Sequence, residues 1–338
     1  MMEPVLEGLL RIPVPLPGNP LRELNAYLIR GRERSLLVDT GFRQEPCRRA
    51  LFGALGEPCR RALFGALGEL GLGPGDVDVL LTHLHSDHAG LAPEAAGGAG
   101  TIYVSAVDRP SLESPAARAA FWDEMHARFR AEGFPPDALG RMEQTNPARS
   151  MAPPEGGRYA SLEDGDVLDA GGMRLKCLLM PGHTPGQMCF WLEEQGVMLL
   201  GDHVLFDITP NITAWPELPD ALGSYLESLA KIREYPVEIP LPGHRGPGVF
   251  RARVDALLEH HRRRLDEALS AVRARPGSGA CALAGHMTWK IRARSWADFP
   301  EVQKWFAVGE CMSHLDHLIA LGAVEKRMED GFAAYYPA

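Results

Sequence analysis

The chain has no apolar stretch approaching about 18 residues, so a membrane-spanning helix is not expected. Its opening, MMEPVLEGLL, lacks a basic segment followed by a long apolar run, which sets the expectation of a cytoplasmic protein without a secretory leader. Basic charge is in deficit. Lys plus Arg number 35 against 44 Asp plus Glu, a net of −9, which argues against nucleic acid or an anionic membrane as partner. The six cysteines, Cys47, Cys59, Cys177, Cys189, Cys281 and Cys311, show no CxxC spacing. They read as reduced thiols and not as a disulfide framework or a thiolate metal site. A GxSxG nucleophile elbow is also missing, which excludes the commonest serine-hydrolase arrangement.

What remains is an ordinary globular composition, 45% hydrophobic and 23% charged, able to bury a core. The length of 338 residues suits one large and one small domain. The break is placed at the ArgProGlySerGly stretch Arg275–Gly279, dividing the chain into 1–275 and 276–338. In the first part, strands are predicted at Ala26–Ile29, Ser35–Val38, Val77–Leu81, Thr101–Val104, Met173–Leu179, Met188–Leu192, Gly196–Leu200 and Val237–Pro240. Helices are predicted at 45–70, 115–132, 220–234 and 250–274. Strands interspersed with helices imply an α/β layering with helices outside the sheets.

Residues 45–56, EPCRRALFGALG, recur unchanged as 57–68. Pro58 inside one long helix would cost about 3 kcal/mol, so two short helices in tandem are expected, read as a surface insertion. In the second part, Val302, Trp305, Phe306, Met312, Leu315 and Ile319 fall on one helical face. A hairpin pattern around Asp330-Gly331 follows, giving a small winged-helix-like unit.

The chemistry concentrates in THLHSDHAG, residues 82–90. His83 and His85 are two apart after an apolar run, so in extended backbone both imidazoles reach one ion. Asp87 and His88 follow where the chain turns and suit a second ion beside the first. Imidazole with carboxylate favours zinc, with iron or manganese as alternatives. Three further apolar runs each end in a ligand type: RLKCLLMPGH at His183, GVMLLGD at Asp202 and VEIPLPGH at His244. Four strand exits carrying His or Asp describe one shared centre.

HLHSDH, GHTPG, GD and GHRG, with VDTG at Val38–Gly41, resemble the five signature motifs of the metallo-β-lactamase superfamily, in the same order. The resemblance implies a four-layer αββα sandwich with the site at one edge. It implies two divalent ions, one held by His83, His85 and His183 and one by Asp87, His88 and His244, with Asp202 bridging. It also implies that Asp39 orients the ligand loops by hydrogen bonding. Two ions lower the pKa of a shared water towards neutrality, so the expected activity is hydroxide-driven hydrolysis of a thioester, ester or lactone of a small metabolite. The catalytic candidates are Asp87, which orients the hydroxide, and His203, an oxyanion or leaving-group donor unless it merely packs.

Residues 105–150 are read as an insertion over the site, with Phe121, Trp122, Met125 and Phe129 at helical spacing as a lid wall or a packing face. Asp207–Trp215 is expected to line the pocket. His260, His261 and Arg262–Arg264 are read as a solvated face or an anion contact. The C-terminal part resembles the winged-helix-like tail of β-lactamase-like proteins, some linked to RNA cleavage and others to thioester hydrolysis. Residues 285–338 carry 6 basic and 7 acidic side chains, a net of −1, where a nucleic-acid reader would be basic. The tail is therefore read as a packing or homodimerisation unit. An RNA phosphodiesterase and a diiron oxidoreductase are the competing activities.

Overall fold

A computed structural model describes residues 2–52, 70–72, 75–290 and 293–338. The second half of the duplicated segment, and with it the expected tandem helix, lies outside the described residues. Only the first helix of the pair, Glu45–Phe52, is described.

The first sheet takes β1 (Glu3–Leu6), β2 (Leu9–Leu16), β3 (Arg22–Ile29), β4 (Ser35–Val38), β5 (Val77–Leu80), β6 (Thr101–Ser105) and β7 (Arg158–Leu162) in sequence order. Its pairing is antiparallel as far as β4 and parallel from there on. The second sheet uses β8 (Val167–Ala170), β9 (Met173–Leu179), β10 (Met188–Leu192), β11 (Val197–Gly201) and β12 (Ile239–Pro242), ordered β12-β11-β10-β9-β8.

Side-chain alternation explains the stacking. On β3, Leu24, Ala26 and Leu28 point to a core shared with Leu51, Phe52 and the helix Ala92–Ala96. Tyr27 and Ile29 point the other way, into a core with Cys177, Phe190, Val197 and Leu199 of the second sheet. The second sheet's outer face, with Leu178, Trp191, Met198 and Leu200, is covered by Leu222, Tyr225 and Leu229 of helix Ala221–Arg233 and Val254 and Leu257 of helix Phe250–Ala274. Helix, sheet, sheet and helix follow in layers, as expected from the sequence.

The free edge of β12 is blunted by Pro240 and Pro242, which carry no N–H for a further strand. The Pro242 carbonyl accepts hydrogen bonds from Asn25 Nδ2 at 2.9 Å and Tyr27 Oη at 2.8 Å, tying the two sheets beside the loop that carries His244.

The C-terminal segment contributes helices Ala280–Ala284 and Glu301–Ala320 and the hairpin β13 (Val324–Glu329) and β14 (Phe332–Pro337). It shares one apolar cluster with Met125 and Phe129 of helix Pro115–Ala131 and Ala268 and Val272 of helix Phe250–Ala274. Glu132, 2% exposed, fastens this junction. Its carboxylate accepts from Ala280 N at 3.0 Å, Tyr335 Oη at 2.8 Å and Lys326 Nζ at 2.6 Å.

Three expectations change in detail. Strands β11 and β12 begin one and two residues later than predicted, because Gly196 is left-handed and closes the turn before Val197. The predicted apolar face of the last long helix divides. Met312 and Leu315 are buried with Val308 and Cys311, whereas Val302 and Phe306, on the adjacent i, i+4 row, are 46% and 41% exposed. The basic stretch near residue 262 divides too. Arg262 and Arg263 lie outside, bonded to Glu259, while His261 and Arg264 are buried against the C-terminal helix.

Candidate metal centre

Each sequence-predicted ligand sits just beyond a strand. His83 and His85 follow β5, and Asp87 and His88 lie in the short helical turn Ser86–Ala89. His183 follows β9, Asp202 follows β11 and His244 follows β12. All seven are brought together. The side chains form three groups whose ligand atoms lie within 4.8 Å of one another: His83, His85 and His183; His83, His88 and Asp202; and Asp87, His88 and His244. Asp202 stands between the outer trios, 3.7 Å from His183 Nε2 and 3.5 Å from both His88 Nε2 and His244 Nε2.

Close approach requires glycine here. A Cβ on Gly243 would stand 2.5 Å from Asp202 Oδ1 and 2.9 Å from His88 Cε1, so any side chain would push the ligands apart.

Hydrogen bonds at the far side of the rings fix their tautomers. His183 Nδ1 donates to Asn211 O at 2.9 Å and His244 Nδ1 to Glu23 O at 2.8 Å. His88 Nδ1 donates to Asp39 Oδ2 at 2.7 Å. With the rings neutral, as cation binding requires, each Nε2 presents a lone pair inward. These lone pairs meet other ring nitrogens: His183 Nε2 faces His85 Nδ1 at 3.1 Å, and His88 Nε2 faces His244 Nε2 at 3.2 Å. Asp202 Oδ1 is buried without a hydrogen-bond partner among the described residues. Converging lone pairs with an unpartnered carboxylate oxygen are a poor protein interior and a good set of donors for borderline divalent cations. The residues present fit such ions.

The side chains alone divide electrostatically into two halves. Burial holds His83 well below the ordinary imidazole value, with the neighbouring His88, His85 and His183 adding to it. Burial takes His85 down to about 3 and also lowers His183. In the other half, burial opposes charge on His88 and His244, but the carboxylates win. Asp39 and Asp202 raise His88, and Asp202 with Asp87 lifts His244 to about 10. Burial works against the Asp87 anion as well, yet the His244 hydrogen bond and the nearby His88 bring it to about 2.

Two residues without a role in the sequence reading, Asp108 and Thr82, complete the surroundings together with Trp215 of the expected lining segment. Buried Asp108 takes Leu84 N at 3.0 Å and Thr184 Oγ1 at 3.0 Å on one oxygen, and Gly186 N at 2.8 Å on the other. It clamps the two ligand loops around His83–His85 and His183 together. Burial pushes its carboxyl up to about 7 against the pull of those three bonds. The Asp108 position carries no motif of its own, being distinguishable only as an Asp shortly after a strand. Thr82 accepts no ligand role but bridges Asp39 and His83, its Oγ1 lying 2.8 Å and 3.0 Å from them. Trp215 stacks on His85 with ring centroids 6.0 Å apart and donates its indole N–H to His183 O at 3.1 Å. The expected lining segment Asp207–Trp215 thus reaches two ligand residues.

His203 is fully buried with its ring 5.2 Å from Tyr225, and both ring nitrogens are without a hydrogen-bond partner among the described residues. Burial holds it at about 3, a neutral imidazole.

A family model described as the metallo-beta-lactamase superfamily matches residues 20–244. Among solved structures, a metallo-beta-lactamase family protein from Thermus thermophilus superposes with a TM-score of 0.79 at 30% identity, covering 99% of this chain and 100% of that one. A beta-lactamase domain protein from Burkholderia ambifaria gives 0.81 at 27% identity over 100% and 94%. The acyl-coenzyme A thioesterase MBLAC2 of Gallus gallus is 26% identical over 229 residues, 65% of this chain and 72% of that protein. The atrochrysone carboxyl ACP thioesterase of Emericella nidulans is 28% identical over 109 residues, 32% of this chain. This chain spans 31%, 48% and 37% of three of the curated relatives it matches. A family match that begins before β3 and ends on His244 encloses every ligand-bearing strand exit, and the chain belongs to the metallo-beta-lactamase superfamily.

Proposed function

We propose that this protein is a metal-dependent hydrolase of thioesters, acting on the acyl thioester of a small carrier such as coenzyme A. The observation that carries the reading is the convergence of seven His and Asp side chains, six of them buried and His85 half-buried, with inward lone pairs. The thioesterase names of two relatives support the bond type. His83, His85 and His183 would hold one divalent ion and Asp87, His88 and His244 a second, with Asp202 between them and zinc as the metal these donors suit best. Bound ions would supply Lewis acidity and a nucleophile at neutral pH.

The chain's own residues do the rest. Asp87, a carboxylate at neutral pH, is the acceptor that aligns the attacking water. Asp39 and Asp108 hold the ligand loops in register. His203, neutral and without hydrogen bonds at its ring nitrogens among the described residues, is retained as a donor to the leaving thiolate or the developing oxyanion. Residues 1–275 are taken as the catalytic domain and 276–338 as a winged-helix-like unit, on the support of its helix–hairpin order.

The test is a thiol-release assay on acyl-coenzyme A thioesters with zinc-loaded protein, run beside single-stranded RNA. Thioester turnover that disappears with chelator and returns with zinc is the expected result. RNA cleavage without thioester turnover would replace this reading.

A further inference from the structure

The expected lid wall divides into two parts. Met125 and Phe129 are 1% and 0% exposed and belong to the core, but Phe121 and Trp122 on the same helix are only half-buried. These two join a row of rings that begins on a metal-ligand candidate. His85 stacks on Trp215, Trp215 lies 5.3 Å from Phe121, Phe121 lies 5.3 Å from Trp122, and Trp122 lies 6.5 Å from Trp305. Three separate segments supply it: the loop after β11, helix Pro115–Ala131 and helix Glu301–Ala320. Its inner end is fixed, because Trp215 is 5% exposed and its indole N–H is bonded to His183 O. Its outer end meets exposed Phe306, whose ring lies 5.2 Å from that of Trp305.

Arg149 lies over the Trp122 ring at 5.7 Å, and the ring surface left exposed along the row gains from apolar cover. Continuity with the ligand cluster says what that is. A chain whose carbonyl sits at the metals can lie against Trp215 and then Phe121 and Trp122 without leaving the surface. We infer that the row Trp215–Phe121–Trp122–Trp305 is the acyl-binding surface, and that it selects long, apolar acyl groups over short ones. The inference rests on the thioesterase reading and deepens it.

Two measurements on the zinc-loaded full chain separate the two claims. The first is kcat/KM for decanoyl-coenzyme A relative to acetyl-coenzyme A. The second is equilibrium binding of decanoate and acetate, followed by tryptophan fluorescence in the wild type and by calorimetry in the variants. The wild type is expected to favour the ten-carbon substrate at least tenfold. Trp122→Ala, and Phe121→Leu in case the alanine variant is poorly folded, are expected to cut that preference about tenfold and to weaken decanoate binding in parallel. Turnover with an unchanged chain-length preference in both variants would overturn the acyl surface and leave the thioesterase reading standing. Decanoate binding that weakens in the variants, with no thioester turnover in any protein, would uphold the apolar surface and overturn the thioesterase reading. Binding of decanoate no tighter than acetate in the wild type would overturn the surface.

Discussion

Asp39 Oδ2 lies 2.7 Å from His88 Nδ1, and Asp39 Oδ1 takes the backbone N–H of Thr82 at 2.9 Å. One carboxylate at the exit of β4 therefore orients a ligand ring on the neighbouring turn and the start of the His83 loop. It does so from a left-handed backbone, φ 57°, which costs a non-glycine residue energy unless the surroundings enforce it. Asp39→Ala leaves His88 Nδ1–H and Thr82 N–H without acceptors in a buried site. The expected loss in zinc affinity is about 10–100-fold, read by competition with a chromophoric chelator. Asp39→Asn keeps the turn geometry and one acceptor, so it should fall between wild type and alanine. Equal affinity in all three would remove Asp39 from the centre.

Asp108 makes a parallel prediction on the other side of the cluster. All three of its partners are donors aimed at its oxygens: Leu84 N, Thr184 Oγ1 and Gly186 N. An asparagine must turn its NH2 towards at least one of them. Asp108→Asn should therefore lower zinc retention and thioester kcat together, by about tenfold, with little change in global fold by far-ultraviolet circular dichroism. Because a Cβ on Gly186 would come within 2.4 Å of Asp108 Oδ1, Gly186→Ala is expected to reproduce the defect. A variant with intact metal content would show that the clamp is only structural.

The division of the site into two trios is testable by stoichiometry. His85 belongs only to the trio with His83 and His183, and His244 only to the trio with Asp87 and His88. Dialysed wild type should retain about two zinc ions per chain, and His85→Ala and His244→Ala about one each, by elemental analysis. A wild type that holds a single ion would collapse the two half-sites into one.

The centre was legible in the sequence because its ligands lie within a few residues of strand ends. There, an apolar run followed by His or Asp fixes both position and direction. Tyr27, Asn25 and Asp108 were not legible in this way. Tyr27 and Asn25 read as ordinary strand residues, and their roles come from pairing across 215 and 217 positions to the Pro242 carbonyl. The first two strands were missed because Pro4, Pro13 and Pro15 interrupt their pattern, and proline demotes a strand in any local reading. The wall helix shows the opposite limit. Periodicity placed Phe121, Trp122, Met125 and Phe129 on one helix correctly but could not divide them, since which residues remain uncovered depends on where the C-terminal helix docks.

The last prediction concerns acid stability, at a buried histidine pair outside the ligand cluster. His314 Nδ1 donates to Glu310 O at 2.7 Å, leaving its Nε2 to accept from His261 Nδ1 at 3.3 Å. That arrangement needs a neutral His314, and a proton on His261 Nε2 would be buried without an acceptor among the described residues. Burial holds His314 at about 3 and His261 well below its usual range, with Arg264 and His260 nearby adding repulsion to any charge there. In the unfolded chain both titrate near the ordinary value of about 6.5. Their folded values lie below the unfolded ones, so the full stability they permit is present above about pH 6.5. It is lost as pH falls, because the unfolded chain takes up protons that the folded one refuses. The expected slope is roughly 1.4 kcal/mol per pH unit for each histidine below about pH 6. Thermal unfolding in chelator between about pH 7.5 and 5.5 should show the fall before most carboxylates titrate. The double variant His261→Phe with His314→Leu should lose the share of the slope that this pair contributes and keep the share from buried His83, His85, His183 and His203, whatever its stability at the upper end of that range. If the two proteins lose stability in parallel, the acid sensitivity lies elsewhere in the fold.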